Sequence, residues 1–520
     1  PGHQVAGRME SDRPVRRPHA PGTLPLAYLA VFFALPVATL LVQHADINAV
    51  IDVLRDHSMR GVAWFTLWQA IASTALTLVI GLPVTWALSR HTFTGARLMN
   101  GLLTVPFLMP AVVVATGVMA VMPQRGTLAI LWAHVVFNTA VVLRVVSPRW
   151  ALVDREMIEA AESLGAPPWR VFTQVTWPAI RAAVTNAATL VFLFCFSSFA
   201  VISVLGGVTT RTLETEVFTQ AVRLGNTRTA AALTLLQTAV IVIVLLLSRT
   251  THSDESTTAD PLEPLHQRHR MRLRHAPFVT ALTGTVIVIT PLVAVTLRSL
   301  RHDGAWTLAG FRALFDGTLD TVGIDIAACI ATSARFALAT VAIAVPLALL
   351  ATRRDRTTVT EQLTLAPLLI SAVTLGFGII VTFDANPINW RSSTFMIPVV
   401  HAVIALPLAV RIVGPAHRAI DPALYESAED LGASQFTVWR TVELPLLRPA
   451  LARAAGISAS VSLGEFGATS FLTRNDSMTV PIAIAQLMGR PGPLLQQAGF
   501  ALASLAVIGI VSLTMINPSR

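Results

Sequence analysis

Apolar positions in this chain come in long unbroken runs. They show neither the alternation of a half-buried strand nor the one-sided stripe of a soluble helix. The first run covers residues 24–43, about twenty positions, which is enough to cross a bilayer core. Others follow at about 62–88, 99–122, 128–146, 184–205 and 227–248. After a polar break come further runs at about 277–297, 321–351, 362–383, 393–413, 449–472 and 495–515. The pattern predicts an all-α, polytopic membrane protein with about 12 transmembrane helices. A cleaved signal peptide is the rival reading of the first run, but its length and the similar runs behind it favour a retained anchor.

The polar stretches divide the chain. Residues 1–23, rich in Pro, Arg and His, predict a disordered cytoplasmic tail, within which Met9 is a candidate start of the natural chain. Residues 249–276 are Ser/Thr/Asp-rich and then basic at Arg268, Arg270, Arg272 and Arg274. They predict a flexible cytoplasmic linker able to touch anionic lipid. Two transmembrane domains result, 24–248 and 277–515.

Two further polar stretches are copies of one device. Residues 154–178 read DREMIEAAESLGAPPWRVFTQVTWP and residues 421–445 read DPALYESAEDLGASQFTVWRTVELP, at an offset of 267 (426 − 159). Asp154 and Asp421 are suited to cap a helix N-terminus, and Pro422 to occupy its first turn. Glutamates keep each helix solvated, and Ala160, Ala161 and Ala428 keep one face small. Gly165 and Gly432 suit a left-handed C-terminal cap, after which a second amphipathic segment begins. Each copy is then a low-relief helix-turn-helix that a partner's cleft could grip. A single copy would pass for a surface loop; two at matching positions would not.

Composition changes the picture mainly by what it removes. The chain is 53% hydrophobic and 13% charged, far from the soluble range, with net charge +9. All 38 basic residues are arginine. Without lysine there is no Gly-x4-Gly-Lys-Ser/Thr phosphate loop and no Schiff-base chemistry, so the chain is not itself an ATPase of that kind. Cys195 and Cys329 lie in apolar runs, which suits packing rather than a disulfide framework or a metal site. If both termini and both copies lie on one side, that side collects about 25 of the 38 arginines, so the copies face the cytoplasm. Orientation accounts for the basic excess, and nucleic acid is not needed.

The halves match elsewhere. At the same offset His134 pairs with His401, Arg144 with Arg411 and Pro148 with Pro415, while an offset of 263 (346 − 83) pairs Pro83 with Pro346 and Arg90 with Arg353. With an even number of spans in each, the halves are parallel repeats about an axis along the membrane normal, and a shared pathway is expected between them. Arg144 and Arg411, ahead of each polar copy, read either as latches onto it or as snorkelling interfacial arginines. His134 and His401 read as a pathway-lining pair or as packed, hydrogen-bonded histidines. Glu465, in an apolar run where an unpaired carboxylate is costly, faces the pathway or belongs to a structural pair, with Arg335 one partner to consider. Its counterpart is Ser198. Residues 206–226 and 473–492 are too polar to span and read as an external platform or as interfacial helices.

The duplicated segment resembles the coupling motif of the membrane subunits of ATP-binding-cassette (ABC) importers: Glu-Ala-Ala, three residues, Gly, nine residues, Ile-x-Leu-Pro. The first copy offers Glu159, Ala160, Ala161, Gly165, Val175, Trp177 and Pro178, and the second Glu426, Ser427, Ala428, Gly432, Val442, Leu444 and Pro445. Val for Ile, Trp177 for Leu and Ser427 for Ala are the departures, and they bear on how symmetrically the halves grip. The fused layout, LWAHVVFN at 131–138, Ser-Ser-Phe-Ala at 197–200 and Ser-Leu-Gly-Glu-Phe-Gly at 462–467 look like the ferric-iron and thiamine branch of these permeases. The resemblance implies a type I (MetI-like) fold in the bacterial plasma membrane with no cofactor and no catalytic residue. It also implies ATPase subunits, two copies, docked on the two segments, and an extracytoplasmic solute-binding protein. An ion-driven secondary transporter would instead predict intramembrane carboxylates and helices broken near the midplane, and a membrane enzyme would predict clustered acid/base or metal residues.

Overall fold

The apolar runs become helices because hydrocarbon offers no partner for backbone N–H and C=O groups, which must then bond within the segment. The computed structural model describes residues 23–43, 46–207, 210–249, 269–270, 276–302, 304–353, 358–384, 393–474 and 476–516. The expected N-terminal tail and most of the linker lie outside them. Among the described residues nine helices are long and apolar enough to cross a membrane, and a bent pair, Ala96–Leu108 with Ala111–Val121, makes up to ten. The two other expected spans are present as shorter or more polar pieces: Ala366–Leu369 with Ala372–Phe383, and Leu444–Gly464 with Gly467–Leu472.

Helix ends are built as the sequence dictates. Asp56 accepts the N–H groups of Ser58 (2.7 Å) and Met59 (3.1 Å) to start the 34-residue helix His57–Arg90. At roughly 1.5 Å per residue this helix outruns a hydrocarbon core of about 30 Å. Hydroxyls buried within the spans are satisfied locally: Thr66, Thr77, Thr85, Thr116 and Thr139 each donate to the carbonyl four residues earlier.

Two features depart from a simple pair of six-helix bundles. The first span of each half packs on the other half. Helix Ala276–Ser299 lies against His57–Arg90 and Ala111–Val121, while the helical stretch 24–43 lies against Ile326–Ala351 and Ala372–Phe383. Backbones meet at these crossings. A Cβ on Gly117 would sit 2.7 Å from the Pro291 carbonyl oxygen, and one on Gly378 3.1 Å from that of Pro36, so glycine is required at both.

Four spans are broken, although the runs predicted unbroken crossings. The third span of the first half bends by 110° at Met109 and Pro110, where proline cannot donate. Its counterpart breaks at Ile370 and Ser371, and Ser371 caps the next piece by accepting the Thr374 N–H (3.0 Å). The fifth spans break at Ser197–Phe199 and at Glu465–Phe466. Broken helices, the feature expected of a secondary transporter, thus occur here beside the duplicated polar segments.

Candidate functional site

The two copies, residues 154–178 and 421–445, fold on one template. Asp154 accepts the Glu156 N–H (2.8 Å) and Asp421 the Ala423 N–H (2.9 Å), starting the helices Arg155–Ser163 and Pro422–Asp430. Gly165 (φ 80°) and Gly432 (φ 76°) end them in the left-handed region. The N–H of Ala166 bonds back to Ala161 (3.1 Å) and that of Ala433 to Ala428 (3.0 Å), completing matched caps. A π-turn then follows in each copy, Phe172–Thr176 and Trp439–Glu443, before the next span. Glu159, Ala160, Gly165 and Pro178 are exposed and Ala161 partly so; Glu426, Gly432 and Pro445 are exposed and Ala428 partly so. Between them Leu164 and Leu431 stand 89% and 87% exposed, flanked by exposed Met157 and Trp169, or Leu424 and Phe436. Apolar side chains held in the open by a capped, rigid turn are the mark of an interaction surface.

The copies are braced differently. The second has its own small core of Ile420, Tyr425, Val438 and Leu447, whereas the helix Arg155–Ser163 has no fully buried residue and rests half-buried Ile158 on the main core. His417 lies 3.9 Å from Glu443 and holds its carboxyl below the usual carboxylate range. Buried Trp150 and Thr176 occupy those places in the first half.

The expected latches are elsewhere. Arg144 lays its guanidinium over Phe107, 5.5 Å from the ring centre, and Arg411 is exposed on its helix; neither bonds to a coupling segment. Nearby, Arg90 donates to the Val153 carbonyl (2.6 Å), just ahead of the first copy. Arg418 ties to Glu361 (2.6 Å) in the second half. Arg144 is long enough to reach an aromatic face on the neighbouring broken span, and that contact takes it away from the loop.

The histidine pair is packed and bonded. His134 lies 2.8 Å from Ser73 and 2.9 Å from Ser198, and His401 lies 2.8 Å from both Ser462 and Thr469. Glu465 belongs to the second network. Its oxygens accept the N–H groups of Ala468 and Thr469 (2.8 Å each), Thr469 adds its hydroxyl, and His401 Nε2 lies 3.4 Å away. Arg335 is not its partner; it contacts Ala331 and Thr332 on its own helix. Glu465 thus caps the helix Gly467–Leu472, which its own span's break had left open.

All four breaks meet at a cavity of about 220 Å³ between the halves, whose walls include Ala111, Ser198, Ala372 and Glu465. Phe199 and Phe466, equivalent at the 267 offset (466 − 199), stack there at 5.4 Å. Two equivalent residues can touch only across the axis that relates them, so the cavity lies on that axis.

One wall residue escaped the sequence reading. Glu214 lies in the segment 206–226, read there as an outer platform or an interfacial helix, yet the helix Leu213–Phe218 is plugged inward with Leu213, Glu214, Glu216 and Val217 buried. Its start is pinned by Thr66, which accepts the Leu213 N–H (2.9 Å), and Ser333 pins Val480 identically (2.9 Å). The available signal was Leu213 and Val217, one helical turn apart on either side of the glutamates.

Residues 77–251 and 330–519 match one family twice, the binding-protein-dependent transport system inner membrane component. The chain belongs to that family. It is an inner-membrane permease of an ABC importer, multi-pass, with two fused MetI-like domains. The matched stretches omit the first span of each half, the pieces that cross over. The permease is 26% identical to the thiamine transport system permease protein ThiP of Brucella abortus (strain 2308) over 544 residues, covering 98% of this chain and 96% of that protein. It is 25% identical to ThiP of Escherichia coli (strain K12) over 518 residues, 91% and 92% of the two chains. A probable ABC transporter permease protein, y4fN of Sinorhizobium fredii (strain NBRC 101917 / NGR234), is 27% identical over 516 residues, 91% and 89%.

Proposed function

We propose that this permease carries thiamine inward, driven by two ATPase subunits that grip the coupling segments and supplied by an extracytoplasmic binding protein. The observation that carries the coupling is the duplicated capped turn with its exposed leucine, present at the same register in both halves. Glu159, Ala160, Ala161, Gly165 and Pro178, with Glu426, Ala428, Gly432 and Pro445, form the two grips. Their low relief lets a cleft close on the helix backbone, and the π-turn behind each passes the pull to the fifth span. Ser198 and Glu465 lie where those spans break, at the pathway between the halves. Nucleotide closure biases states that already differ in contacts, so the halves rock about their axis. The names of the relatives support thiamine over ferric iron as the solute.

Replacing Gly165 and Gly432 by Val forces a β-branched residue into the left-handed region, at about 1–2 kcal/mol per site or more. The space around each is open, so the chain still inserts. In proteoliposomes holding the permease, its ATPase and its binding protein, uptake of labelled thiamine per ATP hydrolysed should fall at least tenfold. Unchanged ATPase stimulation by loaded binding protein together with unchanged uptake would refute the coupling assignment. Uptake by the permease without the ATPase would point to an ion-driven carrier.

A further inference from the structure

Glu214 is fully buried; the Gln237 side-chain amide donates to Oε1, the Ser371 hydroxyl lies beside the carboxyl, and Oε2 has no hydrogen-bond partner. In the same cavity Asn138, 1% exposed, gives its amide N–H to the His134 carbonyl (3.0 Å) and leaves Oδ1 without a partner. Two buried acceptors thus stand without donors in a chamber also lined by Phe137, Phe194, Phe199 and Phe466. Buried polar groups are usually paired; of the partnerless buried atoms among the described residues, these two line the cavity, where one entering ligand can engage both. Glu465, on the same wall, has its own charge absorbed by the helix it caps.

We propose that this axial cavity is the solute's transit site, and that Glu214 selects a positively charged aromatic heterocycle carrying an amino group. An entering cation supplies the counter-ion that an ionised Glu214 lacks in a place without arginine among its walls, the amino group supplies an N–H for Asn138 Oδ1, and the rings give it flat apolar surface. A bare metal ion would need several donors, and among the described residues no group of three or more His, Cys, Asp or Glu is placed to hold one. The second half has Pro481 at the position of Glu214, so selection is the work of one half alone. This inference rests on the reading of the chain as a thiamine permease and adds where, within it, the cation is read.

The test uses the complete complex in proteoliposomes with labelled thiamine. Glu214→Gln keeps the shape and the Gln237 contact but removes the charge, and uptake per ATP hydrolysed should fall tenfold or more. Glu214→Asp should restore it to within about threefold of wild type, a rescue that a role in packing alone would not give. Wild-type uptake by Glu214→Gln overturns the proposal. If that variant fails to assemble, the wild-type complex is treated with a hydrophobic carbodiimide, with and without thiamine-loaded binding protein and ATP. Protection of Glu214, read by mass spectrometry, supports the site, and equal labelling overturns it. A wild type that imports ferric iron and not thiamine defeats the solute reading itself, and this ligand with it.

Discussion

The two halves share a backbone and differ in charge. Caps, π-turns, the breaks in the fifth spans and the pins at Thr66 and Ser333 recur at one offset. At the equivalent places, however, the first half has Ser198, Trp150 and Thr176 where the second has Glu465, His417 and Glu443, and Glu214 faces a proline counterpart. Duplication preserved the moving parts, which both halves need. The chemistry was free to diverge, because a group on the axis serves the whole pathway from either side.

The sharpest way to break this comparison is at the broken fifth spans. Glu465→Ala removes a buried carboxylate that holds two backbone N–H groups and a histidine, and should cost about 3 kcal/mol. Ser198→Ala removes one partly buried hydrogen bond and should cost about 1 kcal/mol. Equal shifts in denaturation midpoint for the two purified variants would mean the halves are held alike. The coupling segments give a smaller contrast. Tyr425→Ala empties the second segment's core, at about 2–3 kcal/mol, and should speed amide hydrogen exchange in the helix Pro422–Asp430. Ile158→Ala, at the matching place but only half-buried against the main core, should alter exchange less.

The smallest effect is one of pH. Glu443 has a depressed carboxyl in the folded protein, so its contribution is present above the ordinary carboxylate range and is lost as pH falls through the folded value. Exchange in the second segment should therefore rise on acidification more than in the first, where Thr176 does not titrate. Glu443→Gln should abolish that difference, and parallel pH profiles in the unaltered chain would count against it.

Much of this was legible from residue order. Apolar runs, the 267 offset and the capped turns are local, and Asp154, Gly165, Asp421 and Gly432 do in the structure what such residues do anywhere. The breaks were harder. Pro110 gave one away in hindsight, but Ser197–Phe199 has no proline or glycine, and its interruption is sustained by the surroundings. Glu214 was missed because a Thr- and Glu-rich stretch resembles a water-facing one, and its burial depends on a socket built by distant spans. Arg144 and Arg90 were equally basic; the structure lays the first over the Phe107 ring and sends the second to the Val153 carbonyl.

The exchanged first helices carry a mechanical consequence. Each bundle is clasped by an arm rooted in its twin, and at Gly117 against Pro291 and Gly378 against Pro36 the arms lie backbone to backbone. Any outward swing of one bundle would drag the other's arm along, as in interlocked jaws turning on a pair of bearings. Neither can part from the other without unthreading through the lipid.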